Sequence, residues 1–359
     1  MSIDPVLLND WHPVALSAQL GGASPHPTSK GSDPVRGPTP GHRGVRVSPI
    51  LAVDLLDTRI ALWRDSGGVV HAWEDRCPHR GTRLSMGAIA GDTLRCAYHG
   101  WRFDTEGRCR HIPALPDLQP DQLKARAGTF HTREKYGMVW VCIGTPSNSG
   151  PPRFPEYADE RLRKVWCGPY DVQSSGPRIV ENFLDMAHFA FVHDGILGVP
   201  EQAAIPDYTV ETFDDAGYGS GVWAKQCRAW QPRASKAATG GSDIAYTYRV
   251  VRPLTAILTK HPPGGIVEAI ALLPQPLTET STRVWIILAL DDFTSDDDAL
   301  RAFQDTIFLQ DQPILESQSP ARLPLIPGAE VSVACDRMSL AYRNYLKRQN
   351  LRYGVLRDD

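Results

Sequence analysis

The sequence predicts an α+β protein of two domains, a small antiparallel β-domain followed by a larger antiparallel sheet covered by helices. A chain of 359 residues is long enough for two domains with separate cores. From Val45 onward, short β-rich runs alternate with turn residues and show no helical period. Beyond a Pro-, Gly- and Ser-rich linker at 145–152, helical periodicity appears beside the β-runs. This alternation favours helices packed on a sheet.

The predicted organisation is an N-terminal segment at 1–44, the β-domain at 45–146 and the larger domain at 147–359. The first segment contains a short apolar element at 11–16, and its part 21–44 is so rich in Gly and Pro that we expect a loop. In the β-domain the expected elements are strands at 50–55, 60–63 and 69–73, a hairpin turn at 104–107 and a closing strand at 136–142.

The larger domain is expected to open on a strand at 165–173 that leads into a helix at 178–193. Two later helices are indicated at 296–315 and 330–349, where apolar residues recur every three to four positions. Further strands are expected near 207–213, 218–227, 244–252, 265–273 and 283–290. No internal repeat is evident in the sequence.

Composition argues against several classes of protein. The chain has 38 Lys and Arg against 41 Asp and Glu, so the net charge of −3 gives no support for a nucleic-acid binder or a membrane-surface protein. The longest apolar runs are well short of the ~18 residues that a membrane-spanning helix needs, and we expect no secretory signal. Seven cysteines, an odd number in a long chain, favour a reducing compartment, and we expect a cytoplasmic protein.

Four potential metal ligands lie in two pairs within the β-domain. One residue separates Cys77 from His79, and two residues separate Cys96 from His99. Two Cys and two His can hold either zinc or a [2Fe–2S] cluster. This unequal spacing is typical of a Rieske cluster, in which one iron takes two thiolates and the other takes two imidazoles. The remaining cysteines show no ligand spacing, and we expect them to be small apolar fillers.

A second candidate metal site lies at 181–193. Asp185 and His188 are three apart, so on a helix they are neighbours on one face. His188 and His193 are five apart, about 140° round an ideal helix, so the helix must distort or end between them if both bind one metal. Two imidazoles and a carboxylate would form the facial triad of non-haem Fe(II) oxygen chemistry. The alternative is an amphipathic core helix whose histidines are merely hydrogen-bonded.

The order of these motifs, a Rieske pattern followed by Asp185-x2-His188-x4-His193, resembles the terminal oxygenase component of Rieske non-haem iron oxygenases. The resemblance covers most of the chain, and the compact members such as vanillate and dicamba O-demethylases look most alike. The run at 310–318 is especially similar to the methylxanthine N-demethylases. In this family the second domain is a helix-grip-like antiparallel sheet.

The resemblance implies a role for each candidate residue. It implies that the [2Fe–2S] cluster is held by Cys77, His79, Cys96 and His99. It implies that the mononuclear iron is held by His188 and His193, with an Asp on a later helix as the third ligand. Asp311 fits that motif, and its rivals are Asp305, Asp291 and Asp292.

Asp185 is not an iron ligand in this family. The resemblance implies that it accepts hydrogen bonds from His188 of its own subunit and from His99 of a neighbouring one. Such a bridge would carry electrons across an interface of a ring-shaped homotrimer. Asn182 and Glu181 would support the site or position water, and a purely structural role for them stays open.

The expected function is that of a terminal oxygenase which uses O2 to hydroxylate a small aromatic or heterocyclic substrate. Electrons would come from NAD(P)H through a separate reductase or ferredoxin, because no Gly-x-Gly-x-x-Gly motif opens a βαβ unit. Oxidative N- or O-demethylation is favoured, and ring hydroxylation or dihydroxylation is the alternative. The strand at 283–290 is expected to line the pocket and shows no purine-binding amide.

Two alternative functions come from other classes of protein. One is a Rieske electron-transfer protein without catalysis, which would not need His188 and His193, and the other is a zinc protein.

Overall fold

A computed structural model of the chain describes residues 4–21, 47–119, 122, 124–215, 219–233, 240–262 and 265–358. The chain divides into two compact units. One unit is Leu8–Pro151, and the other consists of Met1–Leu7 with Pro152–Asp359. Residues 4–7 of the predicted N-terminal segment belong to the second of these units, and residues 8–21 belong to the first. The predicted loop at 21–44 lies outside the described residues except for Gly21.

The first unit is an antiparallel β-structure. Its strands are β1 (His12–Leu16), β2 (Ile50–Leu55), β3 (Thr58–Arg64), β4 (Val70–Glu74), β5 (Ala88–Ala90), β6 (Thr93–Arg95), β7 (Arg102–Phe103), β8 (Cys109–His111), β9 (Thr129–Lys135) and β10 (Met138–Cys142). Six of them form one sheet in the order β1-β10-β9-β4-β3-β2, and β5 to β8 form a small second sheet. A short helix, α1 (Pro5–Leu8), precedes β1.

Aromatic side chains form the core between these two sheets. Trp63 and Trp73 are fully buried and meet edge to face at 5.1 Å between ring centroids, and Phe103 packs on Trp73. Cys77 and Cys96 belong to the same apolar cluster. Each of the two cysteines is therefore anchored in the core, which fixes the start of its Cys/His loop.

The second unit is built on a seven-stranded antiparallel sheet in the order β11-β17-β16-β15-β14-β13-β12. Its strands are β11 (Arg163–Val172), β12 (Thr209–Asp215), β13 (Gly219–Gln231), β14 (Ser242–Arg252), β15 (Thr255–His261), β16 (Glu268–Thr278) and β17 (Ser281–Leu290). The helices are α2 (Gly176–Leu184), α3 (Phe189–Val192), α4 (Asp297–Ser317) and α5 (Arg337–Arg348), and β18 (Leu323–Pro324) pairs with β19 (Val355–Leu356). Helix α4 lies against β11, α2 against β16 and α5 against β13. The predicted α+β class is confirmed.

Two predicted helices of this unit are wrong in detail, and one strand was not predicted. The α-helix expected at 330–349 begins only at Arg337, because residues 331–334 are exposed and have no apolar face to pack on the sheet. Strand β15 (Thr255–His261) was not predicted, although Pro253 in its short connection to β14 is a turn residue. The helix expected at 178–193 is two helices, α2 and α3. Across the described ranges no helix is both long and apolar enough to span a membrane.

Candidate active site

The structure brings together three of the predicted ligands in the second unit. His188 Nε2 lies 3.2 Å from His193 Nε2. Asp311 Oδ1 lies 3.4 Å from the first of these nitrogens and 3.2 Å from the second. Among the described residues, this is the one group of three His, Cys, Asp or Glu side chains that converges closely enough for a single ion.

The helix is interrupted before Asp185 and ends again after Val192, and the second of these ends lies between the two histidines. Helix α2 ends one residue before Asp185, whose backbone is extended (φ −83°, ψ 137°). The four residues of α3 then separate His188 from His193, where one straight helix would leave them about 140° apart. The loop after α3 folds tightly on it, since a Cβ at Gly198 would lie 2.8 Å from the backbone of Ala190. The helix therefore ends between His188 and His193, as their spacing of five residues requires if both bind one metal.

The outer nitrogens of both imidazoles are held by oxygen acceptors. His188 Nδ1 lies 3.1 Å from Asp185 Oδ2, and His193 Nδ1 lies 2.9 Å from Gln310 Oε1. Because these oxygens accept hydrogen bonds, each Nδ1 carries the proton and each Nε2 directs a lone pair inward. The lone pairs of the two Nε2 atoms and the Asp311 carboxylate then face one another. These electron-rich groups repel one another unless a cation lies between them.

The electrostatics of His193 agree with this interpretation. Burial lowers its pKa, but the Asp311 carboxylate and the Gln310 amide outweigh burial, and the net pKa is raised. The surroundings of the ring therefore favour positive charge at this point. The residues fit a divalent metal ion, and two imidazoles with one carboxylate are the ligand set of non-haem Fe(II).

The rival acids lie elsewhere. Asp305, on the same helix as Asp311, accepts from the Tyr170 hydroxyl at 2.6 Å. Asp292 accepts from the backbone N–H groups of residues 294 and 295, so it closes a turn before α4. The side chain of Asp291 is exposed. Of the four candidates, Asp311 alone contacts the two imidazoles.

The flanking residues have separate partners. Asn182 Nδ2 donates to Asp311 Oδ1 at 3.3 Å, so this amide contacts a candidate ligand. Glu181 pairs instead with Arg343, at 2.5 Å from Nε and 2.9 Å from Nη2. Sequence reasoning missed Gln310, which precedes Asp311 in the 310–318 run. Its adjacency to the candidate ligand was the available signal.

The two Cys/His loops of the first unit share one backbone pattern. The Gly81 N–H donates to the Cys77 carbonyl at 2.9 Å, and the Gly100 N–H donates to the Cys96 carbonyl at 3.2 Å. Both glycines have positive φ, +74° and +70°, which is a conformation that favours glycine. A Cβ at Gly100 would also lie 3.0 Å from Pro113 Cγ. Both loops are therefore tight turns.

The side chains of these loops fit a binuclear cluster. The His79 and His99 rings are 4.5 Å apart, and His79 Nδ1 is buried without a hydrogen-bond partner in the described part of the chain. Burial raises the pKa of the Cys77 thiol to about 11, so a bound metal is needed to hold it as a thiolate. No three of the four ligand atoms converge closely enough for one ion, which favours a two-iron cluster over zinc.

Comparison with known proteins matches each unit to a family that agrees with its candidate metal site. Residues 43–123 match the Rieske [2Fe-2S] domain family, and residues 172–350 match the vanillate O-demethylase oxygenase C-terminal domain family. The chain is 30% identical over 338 residues to methylxanthine N1-demethylase NdmA of Pseudomonas putida, covering 94% of this chain and 87% of that protein.

This chain belongs to the Rieske non-haem iron oxygenases.

A solved structure of Pseudomonas putida NdmA with caffeine superposes with a TM-score of 0.77 at 29% identity, covering 96% of this chain and 91% of the other. A shorter match is to the oxidoreductase NdmD of the same organism, 50% identical over 93 residues, 26% of this chain and 16% of NdmD. The predicted family, enzyme class and cofactors are confirmed: the protein is an oxidoreductase with a Rieske [2Fe–2S] cluster and a mononuclear iron.

In this Rieske oxygenase, a cavity opens beside the candidate iron ligands. It contains about 720 Å³ of space, part of it open to solvent. Most of its lining is apolar, and Ile286 is its contribution from the predicted strand at 283–290. Besides the candidate ligands and Asn182, its polar lining residues are Gln231, Tyr246, Tyr248, Lys260 and Gln304.

Proposed function

We propose that this protein is a terminal oxygenase that removes a methyl group oxidatively from a nitrogen or oxygen of a small heterocyclic or aromatic substrate. The observation that carries the proposal is the convergence of His188, His193 and Asp311 on the wall of an otherwise apolar cavity. Methylxanthine demethylation by NdmA, the relative that spans nearly the whole chain, favours N-demethylation.

The proposed reaction balances with O2 and an external source of electrons. One oxygen atom enters a methyl C–H bond and the other leaves as water, which consumes two electrons and two protons. The hydroxymethyl product then loses formaldehyde, and the nitrogen or oxygen keeps a hydrogen. When bound, the mononuclear iron supplies O2 activation and the [2Fe–2S] cluster supplies single electrons.

The residues of the chain would hold the iron, orient its imidazole ligands and position the substrate. His188, His193 and Asp311 would bind the iron on one side and leave its other positions to O2 and the substrate. Gln310 and Asp185 would fix the tautomer and orientation of the imidazoles through their Nδ1–H groups. The apolar walls of the cavity would exclude water and present the methyl group to the iron.

Asp185 is proposed as the electron bridge between subunits, and the assembly as a homotrimer. Its carboxylate contacts His188 and the Ala187 N–H, yet 32% of the side chain remains accessible. His99 is likewise exposed. A carboxylate that accepts from both imidazoles would couple the cluster of one subunit to the iron of the next. A head-to-tail contact of this kind closes only as a ring.

The proposed electron donor is a separate NAD(P)H-dependent reductase. The chain has no dinucleotide-binding motif, and the relative NdmD is itself an oxidoreductase. A cytoplasmic location is proposed because none of the seven cysteines forms a disulfide in the structure.

The decisive experiment measures formaldehyde. Protein loaded with both metals is supplied with NADH and a surrogate reductase and offered N-methylated heterocycles, O-methylated aromatics and the parent compounds without methyl groups. We expect formaldehyde in a one-to-one ratio with O2 consumed, and none from the parent compounds. A hydroxylated ring without formaldehyde would replace demethylation by ring hydroxylation.

The bridge is tested by Asp185→Asn, which keeps the shape of the side chain and removes its charge. Both metals should stay bound, but oxidation of the pre-reduced cluster in a single turnover should nearly stop. Asp194→Asn is the matched control, since Asp194 follows His193 and is exposed. A near-normal single-turnover rate in Asp185→Asn would refute the bridge, and light scattering at the mass of a monomer would refute the trimer.

A further inference from the structure

Three buried polar groups on the sheet side of the cavity have no partner. They are Oε1 of Gln231 and the hydroxyl oxygens of Tyr246 and Tyr248, none of which has a hydrogen bond within the described part of the chain. Each of the three residues is only 1% exposed. All three line the cavity beside the candidate iron ligands.

The register of the sheet places these groups on one face. Strand β13 pairs with β14 so that Gln231 lies opposite Ser242, and Tyr246 lies opposite Cys227. Tyr246 and Tyr248 are two residues apart on β14, so their side chains leave the same side of the sheet. Phe183 of α2 meets Tyr248 edge to face at 6.1 Å. The three polar groups therefore belong to one wall of one cavity.

An unpaired polar atom in a buried site is unfavourable, and native structures keep few of them. Three such unpaired atoms in one largely apolar cavity indicate that a bound ligand supplies their hydrogen-bond partners. Burial keeps the pKa of both tyrosines well above the usual value, so their hydroxyls stay protonated and can donate. The Gln231 oxygen can only accept.

The charge of the cavity wall further narrows the class of substrate that the cavity can bind. Lys260 on β15 lies directly opposite Tyr246 on one side and directly opposite Glu268 of β16 on the other. Burial lowers the pKa of Lys260, and the Glu268 carboxylate partly opposes this effect. Because the two residues are a directly opposed cross-strand pair, their charges offset each other. No other Lys or Arg is found among the described lining residues, so apart from the iron the cavity wall offers a substrate carboxylate no unbalanced cation.

We infer that Gln231, Tyr246 and Tyr248 form a substrate-positioning subsite for an uncharged polar heterocycle, with an N–H group donating to Gln231 and carbonyl or ring-nitrogen acceptors facing the tyrosines. This inference rests on the proposed function, since it describes the substrate of the same site. The three residues would hold the ring so that one methyl group faces the iron.

The first test uses theobromine, caffeine and anisole as binding probes. Theobromine has a free N–H, caffeine carries a methyl group on that nitrogen, and anisole has an O-methyl group but no carbonyl or N–H. Calorimetry on the metal-loaded protein without O2 should give the affinity order theobromine, caffeine, anisole. Tighter binding of anisole than of theobromine, or no binding of theobromine, would overturn the inference.

The second test uses Tyr246→Phe, Tyr248→Phe and Gln231→Met. Each should weaken theobromine binding by roughly fivefold to a hundredfold, which is the usual range for a buried partner left unpaired. The Tm of each ligand-free variant should equal or exceed that of the wild type, because the removed group had no partner to lose. A residue with a merely structural role would not combine these two effects.

Tyr342→Phe is the matched control. The Tyr342 hydroxyl is fully buried away from the cavity and donates to the Pro253 carbonyl at 2.8 Å. This variant should lose Tm and keep its theobromine affinity. The inference is overturned if the three cavity variants bind theobromine as the wild type does, or if their Tm falls as in Tyr342→Phe.

Formaldehyde release separates the two claims. Weakened binding in the cavity variants, with no formaldehyde from any wild-type reaction, would keep the subsite and remove demethylation. Formaldehyde release with unchanged affinity and KM in the variants would keep demethylation and remove the subsite.

Discussion

Gln310 offers the sharpest test of the candidate iron site, because its contact with His193 is visible only in the structure. Its Oε1 accepts from His193 Nδ1 at 2.9 Å, and the His193 side chain is only 1% exposed. Water therefore has little access to replace the amide. In Gln310→Met the side chain keeps nearly the same length and loses the acceptor. The buried Nδ1–H is then unpaired, and the ring is free to rotate or change tautomer.

Two independent estimates of the cost of Gln310→Met agree. Loss of a group that holds a metal-bound histidine typically weakens metal binding or activity about 10–100-fold, which corresponds to about 1.4–2.8 kcal/mol. Leaving a buried donor unpaired costs about 1–3 kcal/mol. We therefore expect iron affinity to fall by one to two orders of magnitude. The [2Fe–2S] cluster should be untouched, because its ligands come from a different unit of the chain.

Competition with an Fe(II) chelator measures this loss, and the absorption spectrum of the cluster serves as an internal standard. The control is Gln312→Met on the same helix, because the Gln312 amide donates to the Asp171 carbonyl and to Glu316 at the surface. That variant should hold iron as the wild type does. If both variants retain iron equally well, Gln310 does not orient His193, and the account of the inward-facing lone pairs fails.

Two further predictions concern the third ligand and the ion pairs behind the site. Asp311→Ala should lose the mononuclear iron and keep the cluster spectrum, whereas Asp305→Ala should keep three irons per chain by metal analysis; full iron retention in Asp311→Ala would move the third ligand elsewhere. Burial alone would raise the pKa of Glu330, but the guanidiniums of Arg178 and Arg343 outweigh it and lower the pKa below the ordinary 4.5. A lowered carboxyl pKa contributes stability that is present above 4.5 and is lost as pH falls through the folded-state value. Urea midpoints should therefore fall below pH 4.5 in the wild type, and Glu330→Gln should reduce this fall; an identical acid dependence in the two proteins would contradict the assignment.

Much of the fold and most of the candidate site follow from short-range patterns. Cys77, His79, Cys96 and His99 can be recognised from their spacing alone, because each pair lies in a tight turn whose geometry a few adjacent residues determine. The spacing of His188 and His193 likewise required the helix to distort or end between them, and α3 ends at Val192, directly before His193. The α+β class followed from periodicity, which reports how each segment is buried.

Tertiary structure alone decided which distant residues join these patterns. Gln310 reaches His193 because α4 is laid along the sheet beside α2, and no spacing in the sequence encodes that contact. The strand at 283–290 shows no amide that could bind a purine, and the amide of Gln231 comes instead from the distant strand β13. Side-chain pattern specifies which face of a strand is buried, whereas the position of that face over the iron depends on packing among elements far apart in the chain. The sequence by itself therefore determined the metal chemistry, and the assembled sheet and helices decided the orientation of the ligands and the polar wall that faces the substrate.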